Sequence, residues 1–202
     1  MKLYDGGRAP NPRRVRVYLA EKDIDIALEP VDIGILAQRS PEFTALNPLQ
    51  RTPVLVLDDG SVIAESIAIC RYFEELFPDP PLFGSGALER ARVEMWQRRV
   101  ELGLLNAVAA VFRHLHPAMI EMEKPQVPEW GEANKTKVVD FIAFLETHLA
   151  QHEYLAGPFS VADITGLVAL DFMKPAKLAI PEEFQHVRRW HAALKQRPSA
   201  TA

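Results

Sequence analysis

An α/β half followed by an all-helical half is the fold that this sequence predicts, on three observations. Short apolar runs alternate with helical patterns through about residue 77. Residues 78–86 then crowd prolines and glycines into a stretch that can continue neither element. Beyond it, apolar residues recur only at helical spacing. The expected organisation is therefore an α/β domain over 1–77, a linker over 78–86 and a helical domain over 87–202. The 202 residues, 48% of them apolar, are enough for two packed cores. With 23 basic against 27 acidic residues and no basic block, nucleic acid is not an expected partner. Every apolar stretch is short and broken by charge, and Met1-Lys2-Leu3-Tyr4-Asp5 lacks a leader's apolar run, so the expectation is a cytoplasmic protein with no membrane segment.

Lys2 to Asp5 reads as the first strand, and Gly6-Gly7-Arg8-Ala9-Pro10-Asn11-Pro12 as the turn into a helix, with Asn11 as its cap and Pro12 in its first turn. Val15, Val17, Tyr18, Leu19 and Ala20 give that helix an apolar side, and Ile24 to Val31 follows as a second strand. Ile35 to Leu46 looks helical, disturbed at Ser40-Pro41 and ended by Asn47-Pro48. Val54 to Leu57 and Val62 to Ala64 flank Asp58-Asp59-Gly60-Ser61, a hairpin signal, and a helix runs from Glu65 to about Leu76. Strand-helix-strand-helix-strand-strand-helix is the order of a thioredoxin-like domain.

The second half divides into helical blocks at about Ala87 to His116, Glu132 to Glu153, Ser160 to Lys174 and Glu182 to Lys195, with prolines between or beside them. Ser160-x-x-Asp163 fits a capping box and carries a folding role rather than chemistry. The single cysteine, Cys70, excludes an internal disulfide and lies in an apolar helical pattern, which reads as inert packing. His114 and His116 lack the i, i+4 spacing and the cysteine partners of a metal site, so no metal is expected.

Chemistry concentrates in Gln50-Arg51-Thr52-Pro53-Val54-Leu55-Val56 and in Glu65-Ser66 about ten positions on. A proline opens a strand where its missing N–H costs least, and an acid-hydroxyl pair starts the next helix. Val54 can offer its backbone to an extended ligand, Ser66 and the helix start can take a carboxylate, and Glu65 can take an ammonium. That set of groups describes one end of glutathione.

Further pieces fall in order: Arg14-Val15-Arg16 with Leu19-Ala20-Glu21-Lys22, Pro41-Glu42-Phe43, Asn47-Pro48, Thr52-Pro53-Val54-Leu55, Glu65-Ser66-Ile67-Ala68-Ile69 and Ser160-Val161-Ala162-Asp163-Ile164. Together they resemble a bacterial cytosolic glutathione S-transferase over nearly the whole chain. The resemblance implies a thioredoxin-like N-terminal domain, an all-α C-terminal domain, glutathione as co-substrate, a homodimer and a role in detoxification. It implies a cis bond at Thr52-Pro53, Val54 paired to the cysteinyl part of glutathione, Glu65 and Ser66 on its γ-glutamyl end, and Gln38 and Arg51 near its glycine carboxylate. By position in the family, Arg8, Arg99, Leu102, Asn106, Phe112, Arg113 and His116 are candidates for the second substrate.

A thiol with pKa near 8.5 is only about 3% thiolate at pH 7, so the first task is to hold the anion. Lowering the pKa by about two units takes roughly 2.7 kcal/mol, more than a helix N-terminus supplies, so a directed hydrogen bond is needed. Here the chain departs from the family pattern: the position of the usual serine, threonine or cysteine falls at Ala9 or Pro10, which donate nothing. Asn11 is the nearest donor and resembles the asparagine of the Thr-Pro-Asn turn in Nu-class-like members. Tyr4 is its competitor, and Arg8 could supply positive charge. The leading expectation is thiol attack on a small electrophile; the alternatives are glutathione-dependent reduction of disulfides or peroxides, and a weakly catalytic glutathione-fold binding protein.

Overall fold

The computed structural model describes residues 1–202 and divides them into two compact units, Met1–Leu82 with Thr201–Ala202, and Phe83–Ala200. The first holds a four-stranded sheet of order β2-β1-β3-β4, built from β1 (Lys2–Asp5), β2 (Ala27–Pro30), β3 (Val54–Val56) and β4 (Val62–Ala64). β1 runs parallel to β2 and antiparallel to β3, and β3 antiparallel to β4, as expected of the thioredoxin-like order. Helices α1 (Pro10–Glu21) and α3 (Ser66–Leu76) pack on each other, and α2 (Pro41–Leu46) lies between β2 and β3 in the chain. Leu3, Val15, Tyr18, Leu55, Ile69 and Phe73 form the buried core of this unit.

Sheet register does the positioning. Tyr4 pairs with Val54, and Val54 with Ala64, so the end of β1, the start of β3 and the end of β4 lie side by side. Three connections therefore emerge from one end of the sheet: the turn 6–9 into α1, the loop 47–53 that ends in a cis Thr52–Pro53 bond, and Glu65 leading into α3.

Several boundaries differ from the sequence expectation. α1 starts at Pro10 with Ala9 as N-cap, so Asn11 sits inside the first turn instead of capping it. Pro10 and Pro12 are both tolerated because N–H groups in a helix's first turn have no intrahelical acceptor. β2 begins at Ala27, not Ile24, since the Ile24 N–H is tied back to the Leu19 carbonyl (2.9 Å) at the end of α1. The expected helix over 35–46 is two 3-10 turns, Ile33–Ile35 and Ala37–Arg39, followed by α2. Ser40-Pro41 starts that helix rather than disturbing one: Ser40 Oγ accepts from the Phe43 N–H (3.1 Å) and Pro41 takes the first helical position.

The second unit is helical throughout: α4 (Gly86–Val100), a π-turn over Glu101–Leu105, α5 (Asn106–Leu115), α6 (Pro128–Leu149), α7 (Val161–Phe172) and α8 (Gln185–Lys195). The 87–116 block is thus one helical run with an extra residue accommodated in the middle. α7 is buried along almost its entire length, and Trp190 of α8 lies against Gly166, where a Cβ would fall 2.2 Å from the indole. Asp163 accepts from the Leu155 N–H (3.0 Å), the Ser160 N–H (3.0 Å) and hydroxyl (3.0 Å), and Trp190 Nε1 (3.1 Å), tying three segments together. No helix is long and apolar enough to cross a membrane.

Candidate functional site

The site is built where the three connections meet. Gly6, at the end of β1, is fully packed: a Cβ there would lie 2.3 Å from Thr52 Oγ1 and 3.4 Å from Pro12 Cγ. The glycine lets the turn into α1 and the cis-proline loop touch. That loop is braced from within, because buried Asn47 donates through Nδ2 to the Arg51 carbonyl (2.8 Å) and accepts at Oδ1 from the Leu49 N–H (3.1 Å). On the other side of the turn, Asp5 forms an ion pair with Arg16 and accepts from the Gly7 N–H (3.2 Å).

Val54 is wholly buried and in register with strands on both sides, so its main chain belongs to the sheet. Thr52, two residues ahead of Val54, lies outside the ladder. Glu65 is exposed and holds φ 69°, ψ 117°, a left-handed conformation rare outside glycine. Ser66 opens α3 and is 4% exposed.

The first turn of α1 is unusual in its donors. Pro10 and Pro12 have no N–H, and the Arg13 N–H already reaches the Ala9 carbonyl (3.2 Å), so Asn11 carries the one main-chain donor left at this helix start. The Asn11 carboxamide is oriented by a neighbour that the sequence reading used only as a motif anchor. Arg14, 2% exposed, donates from Nη2 to Asn11 Oδ1 (2.8 Å) and also to Ser66 Oγ (2.8 Å). Arginine has no acceptor, so the amide oxygen must face it and the NH₂ must face away. A basic residue in a helix ordinarily signals a solvated face; the cue here was its place among Val15, Val17 and Tyr18 on the buried side.

Tyr4 is drawn into packing. Its ring meets Phe43 edge-on at 6.1 Å and packs against the cluster of Val31, Phe43 and Val54. Arg8 is exposed in the turn, and Arg51 is exposed beside Thr52. Gln38, expected near the glycine carboxylate, is 6% exposed in the 3-10 turn Ala37–Arg39. Cys70 is inert: burial pushes its thiol up to about 12, outweighing the downward pull of the Arg14 charge.

Of the second-substrate candidates, two pairs share a setting. Leu102 and Asn106 line an open groove with Trp130, Phe141 and Phe144 along α6. Phe112 and His116 stack on each other at 4.7 Å, with Phe172 5.1 Å from Phe112, while Arg99 lies over Trp96 at 5.0 Å. The Arg113 and His116 carbonyls are bridged by Gln126 Nε2 (2.7 and 3.0 Å).

Comparison with known proteins now bears on this geometry. Residues 9–76 match the model of the glutathione S-transferase N-terminal domain, and residues 128–193 that of the C-terminal domain. Glutathione S-transferase 2 of Saccharomyces cerevisiae is 39% identical, over 98% of this chain and 87% of that protein. A glutathione S-transferase domain-containing protein of Marinobacter aquaeolei superposes with a TM-score of 0.95 at 41% identity, covering 99% of this chain and 100% of that one. Gtt2 of Saccharomyces cerevisiae also gives 0.95, at 38% identity, covering 100% and 99%.

Proposed function

Since the chain belongs to the glutathione S-transferase family, we propose that it binds glutathione at the meeting of the 6–9 turn, the cis-proline loop and the start of α3, and presents the sulfur as a thiolate to Asn11. The observation that carries this reading is the donor set at α1: Asn11 supplies both its own N–H and an NH₂ turned outward by Arg14, in a turn whose other early positions are proline. Together with the helix dipole, a hydrogen bond to a charged acceptor, about 1.5–3 kcal/mol, covers the roughly 2.7 kcal/mol that a two-unit drop in thiol pKa requires.

On this reading the Thr52 main chain pairs with the cysteinyl residue, Ser66 donates its hydroxyl to the γ-glutamyl carboxylate, and Glu65 takes the ammonium. Gln38 and Arg51 serve the glycine end. The thiolate then attacks a small electrophile, gaining rate from ionisation and from juxtaposition. The working protein is a cytoplasmic homodimer acting in detoxification, a form that sedimentation in solution checks. The absence of a side-chain hydroxyl at Ala9 supports one further reading, glutathione-dependent disulfide reduction through a mixed disulfide, which needs no protein cysteine.

Calorimetry with glutathione, run beside conjugation of an aryl halide and reduction of a small disulfide, is the test. Binding with conjugation is expected. Binding with reduction alone moves the assignment to the reductase, binding without turnover to a binding module, and no uptake at millimolar glutathione removes the proposal.

A further inference from the structure

Asn11 and Ser66 are both ambivalent groups: a carboxamide and a hydroxyl can each donate or accept. Left to themselves, they would take a cation or an anion with similar ease. In this protein both oxygens accept from the same nitrogen, Arg14 Nη2, at 2.8 Å each. Nη2 carries two protons, so each proton serves one oxygen. The consequence is a fixed sense at both residues: the Asn11 NH₂ and the Ser66 O–H are the groups left to donate to a ligand.

We propose that Arg14 is a positioning residue that commits Asn11 and Ser66 together to donating, so that one buried guanidinium makes the site selective for two anionic groups of the same ligand, the thiolate and the γ-glutamyl carboxylate. This rests on the reading of Asn11 and Ser66 given above. Three features of the fold support it. Arg14 is 2% exposed, its charge is felt as far as the buried Cys70, and its two partners belong to helices that begin 56 residues apart in sequence, at Pro10 and Ser66. A buried cation at this place is costly to hold, and a helix-solvating role is excluded by its burial. Because both donors share one anchor, thiol ionisation and carboxylate binding are coupled through Arg14 without touching each other.

The test separates the coupling from the two individual roles. For the purified full chain, two quantities are read: the pH midpoint of thiolate absorbance of bound glutathione, and glutathione affinity by calorimetry. Asn11→Ala is expected to raise the midpoint by about one unit with little change in affinity, and Ser66→Ala to weaken affinity about tenfold with little change in midpoint. Arg14→Met should do both, and adding Asn11→Ala or Ser66→Ala to it should add less than about twofold, because residues acting as one unit are non-additive. Should Arg14→Met not fold, Arg14→Lys, which keeps the cation without the planar fork, is expected to shift both quantities in the same directions by a smaller amount.

A folded Arg14 variant that moves neither quantity, or moves one only, overturns the proposal. So does full additivity with Asn11→Ala and Ser66→Ala, which would mark Arg14 as support for the fold alone. Failure of the underlying reading looks different: Asn11→Ala then leaves the midpoint unchanged while Arg14→Met raises it, which would place Arg14 itself on the sulfur.

Discussion

Each half of this protein is organised around a buried ionisable side chain, Arg14 in the first and Asp163 in the second, and the two are spent differently. Asp163 collects four donors from three segments, all of them internal, and nothing is left to offer a ligand. Arg14 instead gives two of its protons to Asn11 and Ser66, and each of those keeps a donor of its own to offer in turn. A hub whose hydrogen bonds close within the chain stabilises the fold; one whose bonds stop a step short of the surface prepares a binding site. A similar contrast holds for Glu74, which pairs with buried Lys22 and accepts from Tyr18, while Lys22 also donates to the Phe77 carbonyl (2.7 Å). That group fixes α1 to α3 behind the site and offers nothing outward.

The comparison breaks first at Asp163. Asp163→Ala leaves several buried donors unsatisfied and is expected to cost about 3–5 kcal/mol of unfolding free energy, read by denaturant titration, with glutathione affinity per folded molecule unchanged. An affinity that falls with the stability would mean that the two hubs are not separable. Gly6→Ala acts on the site half and comes next: the new Cβ must displace Thr52, so glutathione affinity should drop about tenfold with a smaller stability loss. Thr52→Ala in the same chain removes the clashing Oγ1 and should recover most of the affinity; no recovery would put the fault elsewhere in the turn.

A subtler effect is the pH dependence of stability. Burial raises the Asp163 carboxyl to about 6 from an ordinary 3.8, so the folded state binds its proton more tightly than the unfolded one. Its contribution is therefore complete below pH about 4 and is lost as pH rises through about 6. Asp163→Asn, though less stable throughout, should lack this component of the slope between those values; an identical slope would refute the raised pKa. The smallest effect is expected at Tyr4, where the ring packs against Phe43: if Asn11 is the donor as proposed, Tyr4→Phe should change conjugation rate and bound-thiol midpoint by less than about twofold.

Legibility largely followed the range of the interaction. Turn chemistry and local patterning placed β1, the Asp58–Ser61 hairpin, α3 and the Ser160–Asp163 box, because each depends on residues within a few positions of one another. Two boundaries were misjudged although their causes are local: Ile24 is kept out of β2 by a bond to Leu19, and Asn11 is not a cap because Ala9 already fills that role. In the site, Thr52-Pro53 and Glu65-Ser66 were visible as motifs. Arg14 was visible only within Arg14-Val15-Arg16, and its bond to Ser66, 52 positions away, was not, since that needs the α1–α3 packing. Nor was Gly6, whose necessity comes only from the approach of Thr52. The second-substrate set was chosen along one helical run, in which the structure pairs Leu102 with Asn106 across the end of the Glu101–Leu105 π-turn and Phe112 with His116 further on.

The claim on which the rest depends is that Asn11 holds glutathione's sulfur as an anion. Titrating the thiolate absorbance of glutathione bound to the parent protein and to Asn11→Ala tests it most directly. The account predicts a parent midpoint about two units below the free thiol's ordinary value of about 8.5, and an Asn11→Ala midpoint about one unit or more above the parent's. Coincident curves for the two proteins, or a parent midpoint no lower than that of free glutathione, would contradict it.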